Sequence, residues 1–511
     1  MTAVSVLDLS PDIGAGDPSP KAPSFFVDLN LDQIVASVTA GKEEYDLAPF
    51  FFRPLRTADE VAYRQAVMHD LENGATYEAV SKFAERMRQV RGRLAQIEKL
   101  YYRYQKEAWL LDAAADYWEA VETLQSRLLD SAPKSAALVR FISFLDSYVG
   151  ASGFREMRDG AVALRAKLAA IRYFLVIGRG VITVTEFRDE TDYGAEIEAD
   201  FAKFKRGEAS EYVFRFHESP SMNHIEASIL DRVARMNPDV FAALDAFAAK
   251  YADFVDPAIR RFDREIQFYV SYLAHMRRVA VGGLTFCFPE VSEVSKETVA
   301  RDAFDLALAE AAHEKGLPVV VNDVTLSGRE RIIIVSGPNQ GGKTTFARMF
   351  GQLHYLAALG LPTPGSTARL FLFDQLFTHF EREETIHNLR GKLHDDLSRL
   401  HETLAAATQR SVFILNEAFN STRLGDAIFL NAKVLTRIIA LDAICVFVTF
   451  IDELAALSAT AVSMASTVKP DNPAERTFKV VRRPPDGLAY ALSLAEKHRL
   501  TYAKLRDRLP R

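Results

Sequence analysis

One octapeptide constrains this chain more than any other stretch: Gly337-Pro-Asn-Gln-Gly-Gly-Lys343-Thr344. It fits the pattern G-x-x-x-x-G-K-[ST] in full. The apolar run Ile332 to Val335 precedes it, and Thr344 to Leu359 reads as a helix. A strand, a glycine loop and a new helix in that order make a cradle for phosphate. The glycines let backbone N–H groups close on the anion, and the helix adds the positive end of its dipole. Lys343 is the neutralising cation, and the Thr344 hydroxyl is placed to ligate Mg²⁺. Gly337, Pro338, Asn339, Gln340, Gly341, Gly342 and Thr345 complete the nucleotide-binding stretch, with ATP and Mg²⁺ as the implied ligands.

A loop of this kind needs an acidic partner at the end of another buried strand. Ser411-Val-Phe-Ile-Leu-Asn416-Glu417 supplies the strand. Glu417 is placed as the general base that polarises water. Asn416 stands where an aspartate is expected. It accepts a hydrogen bond from a metal-bound water but lacks the charge that would hold Mg²⁺ strongly, so slow turnover is expected.

The 511 residues call for two to four domains. From about Asp28 to about Gly283 the pattern is mostly helical. Phe83, Met87, Val90, Leu94, Ile97, Tyr101, Tyr104 and Ala108 follow alternating steps of four and three, which predicts one long helical stripe. Val255, Ile259, Phe262, Ile266, Tyr269, Leu273 and Met276 predict a second. Between them, Tyr173 to Ile177 and Gly178 to Thr185 read as a hairpin, followed by a segment dense in carboxylates from Glu186 to Glu211. The second half alternates apolar runs with helical stretches: Val319 to Val321, Arg331 to Ser336, Val412 to Leu415 and Cys445 to Phe450. That alternation predicts an α/β domain with a largely parallel sheet. The expected organisation is a tail over 1–24, a helical domain over 25–284 with a small β insert near 171–215, and an α/β domain over 285–511.

Composition narrows the function. A balance of 62 Lys+Arg against 68 Asp+Glu excludes a globally basic nucleic-acid binder, though not a local basic face. Cys287 and Cys445 form no CxxC pattern, which fits a reducing cytoplasm. No apolar run reaches the ~18 residues of a membrane span, so no membrane partner is expected. The first 24 residues are rich in Pro, Ser, Gly and Asp and read as disordered rather than as a signal peptide.

The residues around the loop carry a more specific likeness. Gly337-Pro-Asn-Gln-Gly-Gly-Lys-Thr-Thr345 resembles the GPN-x-GGKST loop of the MutS family of DNA mismatch-repair ATPases. Asn322-Asp-Val-Thr-Leu-Ser327 resembles the family's segment beside the adenine, which marks Asn322 as nucleotide-binding. Gly360 to Arg369, Asn416 to Thr422 with Asp426, and Phe447 to Leu454 match further family stretches. So do Asp486 to Leu492 and, near the start, Phe52-Arg-Pro-Leu-Arg56 with Val61, Arg64 and Gln65. The likeness covers roughly residues 45–505. Three departures stand out: Asn416 for the aspartate, Phe450 for the histidine that senses the γ-phosphate, and no serine in the trans segment near Leu389 to Lys392. The resemblance implies a lever domain followed by an ABC-like P-loop ATPase domain, without the domains that read a mismatch. It implies a homodimer with two nucleotides at its interface, acting on DNA in repair or recombination and recognising DNA structure. The alternative is a nucleotide-gated ATPase whose levers grip a protein partner.

Weaker constellations have two readings each. Lys82, Arg86, Arg88, Arg91, Arg93, Lys99, Arg103 and Lys106 make one helix basic, either to track phosphates or as a solvated face with interleaved acids. His387, His394 and His401 lie seven apart, about 10 Å along a helix, which is too far to share one metal ion. Asp395 and Asp396 read as a solvated pair.

Overall fold

The computed structural model describes residues 4–9, 21–178, 180–188, 222–381, 392–420, 422–469 and 472–484. The expected acidic segment after Arg188, the trans segment near Leu389 and the stretch Asp486 to Leu492 lie outside them. The chain forms two compact units. One comprises residues 1–73, 134–139 and 264–511, and the other 74–133 and 140–263. The division does not follow the expected 284/285 boundary, because residues at the start of the chain pack into the unit that carries the glycine loop.

The second unit is helical apart from one hairpin. Helices Gly74–Lys99 and Arg103–Ser131 pack side by side. Ion pairs Arg127–Glu78, Arg86–Glu119 and Arg93–Asp116 fix their antiparallel order. The single stripe expected from Phe83 to Ala108 is therefore split. Phe83, Met87 and Val90 are buried, but Leu100 tucks inward, Tyr101 is exposed and Tyr102 is extended before the next helix starts. Steps of three and four run straight through such a break, so periodicity cannot detect it. Strands Tyr173–Gly178 and Val181–Glu186 form the predicted antiparallel hairpin, with Gly178 opposite Val181 and Gly180 at φ +80°.

The basic helix resolves toward the solvated-face reading. Lys82 pairs with Glu78, Arg91 with Asp263, and Arg103 with both Glu107 and Asp245. These cations are already engaged by carboxylates of their own unit. The Glu107 carboxyl is pushed up to about 7 by burial and by its neighbour Asp245.

The first unit holds two main sheets. The larger has six strands in the order Leu376–His379, Val412–Asn416, Ile444–Val448, Ile332–Ser336, Ala461–Lys469 and Asn472–Arg482. The first five run parallel and the last is antiparallel. Ile332–Ser336, Val412–Asn416 and Ile444–Val448 are buried at every position, which explains their unbroken β-branched and aromatic runs. The smaller, mixed sheet orders Glu290–Ser292, Thr367–Phe371, Thr298–Ala303 and Asn322–Leu326. Val319 to Val321 precede the last of these strands rather than forming one.

The expected disordered tail is partly ordered. Val6 is 1% and Leu7 2% exposed. Glu265 accepts from Ser5 Oγ and from Val6 N at 2.8 Å each. Tyr63 donates to the Ser5 carbonyl and Tyr269 to the Val6 carbonyl, both at 2.6 Å. Arg64 Nε donates to the Leu7 carbonyl at 3.0 Å, while its Nη1 caps the Leu359 carbonyl at 3.1 Å. Composition hid this because two apolar residues with matched backbone partners suffice to dock a peptide. The second predicted stripe is borne out: Ile259, Phe262, Ile266, Tyr269 and Leu273 are buried on helix Pro257–Ala280.

Candidate functional site

The central strand Ile332–Ser336 ends in the glycine loop, and helix Lys343–Ala358 begins immediately after it. The loop reverses tightly, with φ of +117° at Gly337, +59° at Gln340 and +90° at Gly342. Glycine is required at Gly337 twice over. Besides its dihedral, a Cβ there would lie 2.5 Å from Ser466 Oγ and 2.9 Å from the Ser466 carbonyl. Gly341 meets the same hydroxyl at 2.5 Å. The helix is anchored away from its mouth: Arg348 donates to the Asp28 carbonyl, and Gln352 binds the Leu29 carbonyl and Asp305.

Lys343 is buried and turned back on its own loop. Its Nζ donates to the Gly337 carbonyl at 2.9 Å, to the Pro338 carbonyl at 3.2 Å and toward Asn339 Oδ1 at 3.5 Å. The Phe450 ring lies 4.6 Å from it, a cation–π contact at the position where a histidine was expected. Burial lowers the Lys343 pKa, Glu417 opposes that shift, and the nearby Arg476 cation adds to it.

One strand lies between the loop strand and Val412–Asn416. The Thr344 hydroxyl nevertheless reaches Asn416 Oδ1 at 3.0 Å. Glu417 follows at φ +56°, its N–H bonded to the Val448 carbonyl at 2.9 Å. A non-glycine residue held in the left-handed region is strained, a cost commonly met at functional sites. Burial raises the Glu417 carboxyl pKa, and Glu381 adds to it. Lys343 and the Asn420 amide, 3.1 Å from Oε2, oppose the shift.

Asn339 to Thr345 and Glu417 open on a cleft of about 710 Å³. Its apolar lining includes Leu308, Ala312, Leu317, Val319, Val320 and Phe478, and Phe478 lies beside Gly342 of the loop. Asn322 lines it too, but its amide is occupied by the last strand: Nδ2 donates to the Phe478 carbonyl at 3.2 Å, and Oδ1 accepts from Val480 N at 2.8 Å. Gly337, Pro338 and Asn416 stand behind the lining, where they hold Lys343 and Thr344. The apolar wall escaped sequence reasoning. Val319 to Val321 had the texture of a strand, and nothing in the sequence marks Phe478 as a wall residue. Asp396 is not a solvated residue either: it is buried and pairs with His379 at 3.3 Å. His394 and His401 are exposed on helix Lys392–Ala406, and His387 lies outside the described residues.

The donors at Thr344 and Asn416 are neutral oxygens. Among the described residues no group of three or more His, Cys, Asp or Glu converges as a metal site. A hard cation whose remaining ligands are phosphate and water oxygens fits this set.

Residues 333–493 match the model of the family described as MutS domain V. Over that segment the chain is similar to the MutS family. It is 33% identical over 156 residues to the DNA mismatch repair protein MutS of Erythrobacter litoralis, covering 30% of this chain and 18% of that protein. It is 27% identical over 201 residues to the Endonuclease MutS2 of Gemmatimonas aurantiaca, covering 38% of this chain and 24% of the relative. The match thus spans about a fifth to a quarter of these MutS relatives. Among the described residues no helix is long and apolar enough to cross a membrane.

Proposed function

We propose that the chain is an ATP-binding and ATP-hydrolysing MutS-type protein that acts on DNA in repair or recombination, as a nucleotide-switched dimer. One observation carries this reading: Lys343, Thr344 and Glu417 line one cleft together with an apolar set of side chains, and the Thr344 hydroxyl reaches Asn416 behind it. A nucleoside triphosphate has the matching polarity, with a flat base at one end and concentrated charge at the other. The strand–loop–helix order supports an ABC-like P-loop domain. In this reading Asn339 to Thr345 supply backbone donors to the phosphates. Lys343 leaves its own carbonyls to neutralise them. Mg²⁺ would be held by Thr344 and Asn416 and would offset the phosphate charge. The Glu417 carboxylate takes the proton of the attacking water. Asn416 leaves the site one negative charge short, so turnover is slow.

One relative's name, a DNA mismatch repair protein, supports DNA as the partner, and recognition of DNA structure is our reading of how it is bound. Gel shifts with junction, branched and plain duplex DNA at moderate salt, with and without ATP, test this. Binding that prefers one structure and responds to ATP is expected, and no binding to any of them defeats it. A second reading has its own support. The pairing of Lys82, Arg86, Arg91 and Arg93 with carboxylates leaves less positive charge for DNA on helix Gly74–Lys99. A protein partner gripped by the helical unit would then replace DNA, and partners retained after nuclease treatment would favour it.

A further inference from the structure

The last strand of the large sheet, Asn472–Arg482, is not regular. Ser466 pairs with Val480 and Val468 with Arg476, so between these pairs the single residue Thr467 faces residues 477–479. The excess is a bulge over residues 477–479, with Phe478 at φ +59°. Bulges of this kind re-aim side chains and occur beside active sites. Here the bulge turns Phe478 into the cleft wall, and the Asn322 amide braces it on both sides. Two residues before Phe478, Arg476 reaches the glycine loop, where its Nε donates to the Asn339 carbonyl at 3.2 Å. Asn339 is also the residue toward which Lys343 Nζ points. Two cations from different elements therefore meet at the same turn of the loop.

An anion seated at that turn would face both cations. A guanidinium also suits phosphate better than an ammonium does, because it presents a planar fork of donors. We propose that Arg476 is a second phosphate-binding residue of the nucleotide site, supplied in cis by the bulged strand and directed at the terminal phosphates. The strand then meets the ligand twice, with Phe478 lining the cleft beside Gly342 and Arg476 at the charged end. An extra cation from the same chain also suits a site in which Phe450 stands where a phosphate-sensing histidine was expected. This inference rests on the nucleotide reading above and deepens it.

The test is calorimetric binding of Mg·ATP, Mg·ADP and AMP to the full chain, with thermal melting as a control for folding. Arg476→Ala and Arg476→Gln are compared with Lys343→Ala and the wild type. Glutamine can still donate to the Asn339 carbonyl, so it keeps the tie between strand and loop but removes the charge. Loss of a charge-assisted contact predicts about ten- to a hundredfold weaker ATP binding in both Arg476 variants. ADP should lose less and AMP nothing, and Arg476→Lys should recover part of the ATP affinity. Wild-type affinity in Arg476→Gln, or equal losses for all three nucleotides, overturns the assignment and leaves Arg476 a structural tie. If the wild type binds ATP and Lys343→Ala does not, while the Arg476 variants bind normally, only this inference falls. If the wild type binds no nucleotide, both readings fall.

Discussion

Replacing Glu417 with glutamine probes the chemistry and the electrostatics of the site together. Glutamine keeps the shape and leaves an oxygen to accept from Asn420, but it cannot take a proton. A general base contributes about 10²- to 10⁴-fold, so turnover should fall by that factor, roughly 3–5 kcal/mol of transition-state stabilisation. Folding stability should move the other way. Burial raises the Glu417 pKa in the folded chain, and the attraction of Lys343 and the Asn420 hydrogen bond do not cancel it. The folded state therefore binds this proton more tightly than the unfolded state, and the ionised carboxylate at neutral pH weakens the fold. Glu417→Gln removes that penalty. The gain is present above the folded pKa and vanishes as pH falls below the unfolded value of about 4.3. Single-turnover ATP hydrolysis followed across pH should show an acid limb in the wild type, lying above the ordinary glutamate range and absent in the variant. Urea unfolding at neutral pH should show the variant to be the more stable chain. A variant that hydrolyses at the wild-type rate, or retains the acid limb, refutes the general-base assignment.

Three further substitutions test the packing of the chain. Leu7→Ala should cost about 2–4 kcal/mol in urea unfolding, since the side chain is fully buried; a change within about 0.5 kcal/mol would mark an undocked tail. Gly337→Ala should cost roughly 2–5 kcal/mol and weaken nucleotide binding, because strain at φ +117° adds to the 2.5 Å approach of Ser466 Oγ; wild-type melting would contradict that geometry. Gly92→Ala should act oppositely and stabilise by about 0.5–1 kcal/mol, as it sits inside helix Gly74–Lys99 with nothing within 4 Å of the added Cβ; a loss of stability there would refute the helical assignment.

The loop, its strand and its helix were legible in the sequence because the chemistry demands particular residues at fixed spacing. Lys343, Thr344, Asn416 and Glu417 meet because two buried parallel strands end at the same edge of one sheet, and each strand announced itself as an unbroken apolar run. The cleft's other wall was not legible. Leu308 and Ala312 come from one helix and Phe478 from the last strand, which only tertiary packing brings together, and an apolar wall has no spacing rule. The bulge that aims Phe478 depends on register between two strands, which no local pattern encodes. The split of the long helix at Leu100 was hidden by a period that survives the break. The docking of Ser5 to Leu7 was hidden by the polar composition around them. In both places a few buried side chains outweighed the local signal.

The most direct test of the account is titration of Mg·ATP into the wild-type chain and into Lys343→Ala, with melting curves showing that both are folded. The account predicts saturable binding by the wild type, weakened at least about tenfold in the variant through loss of a charge-assisted phosphate contact. Equal affinity in the two chains, or a folded wild type that binds no nucleotide, would contradict it.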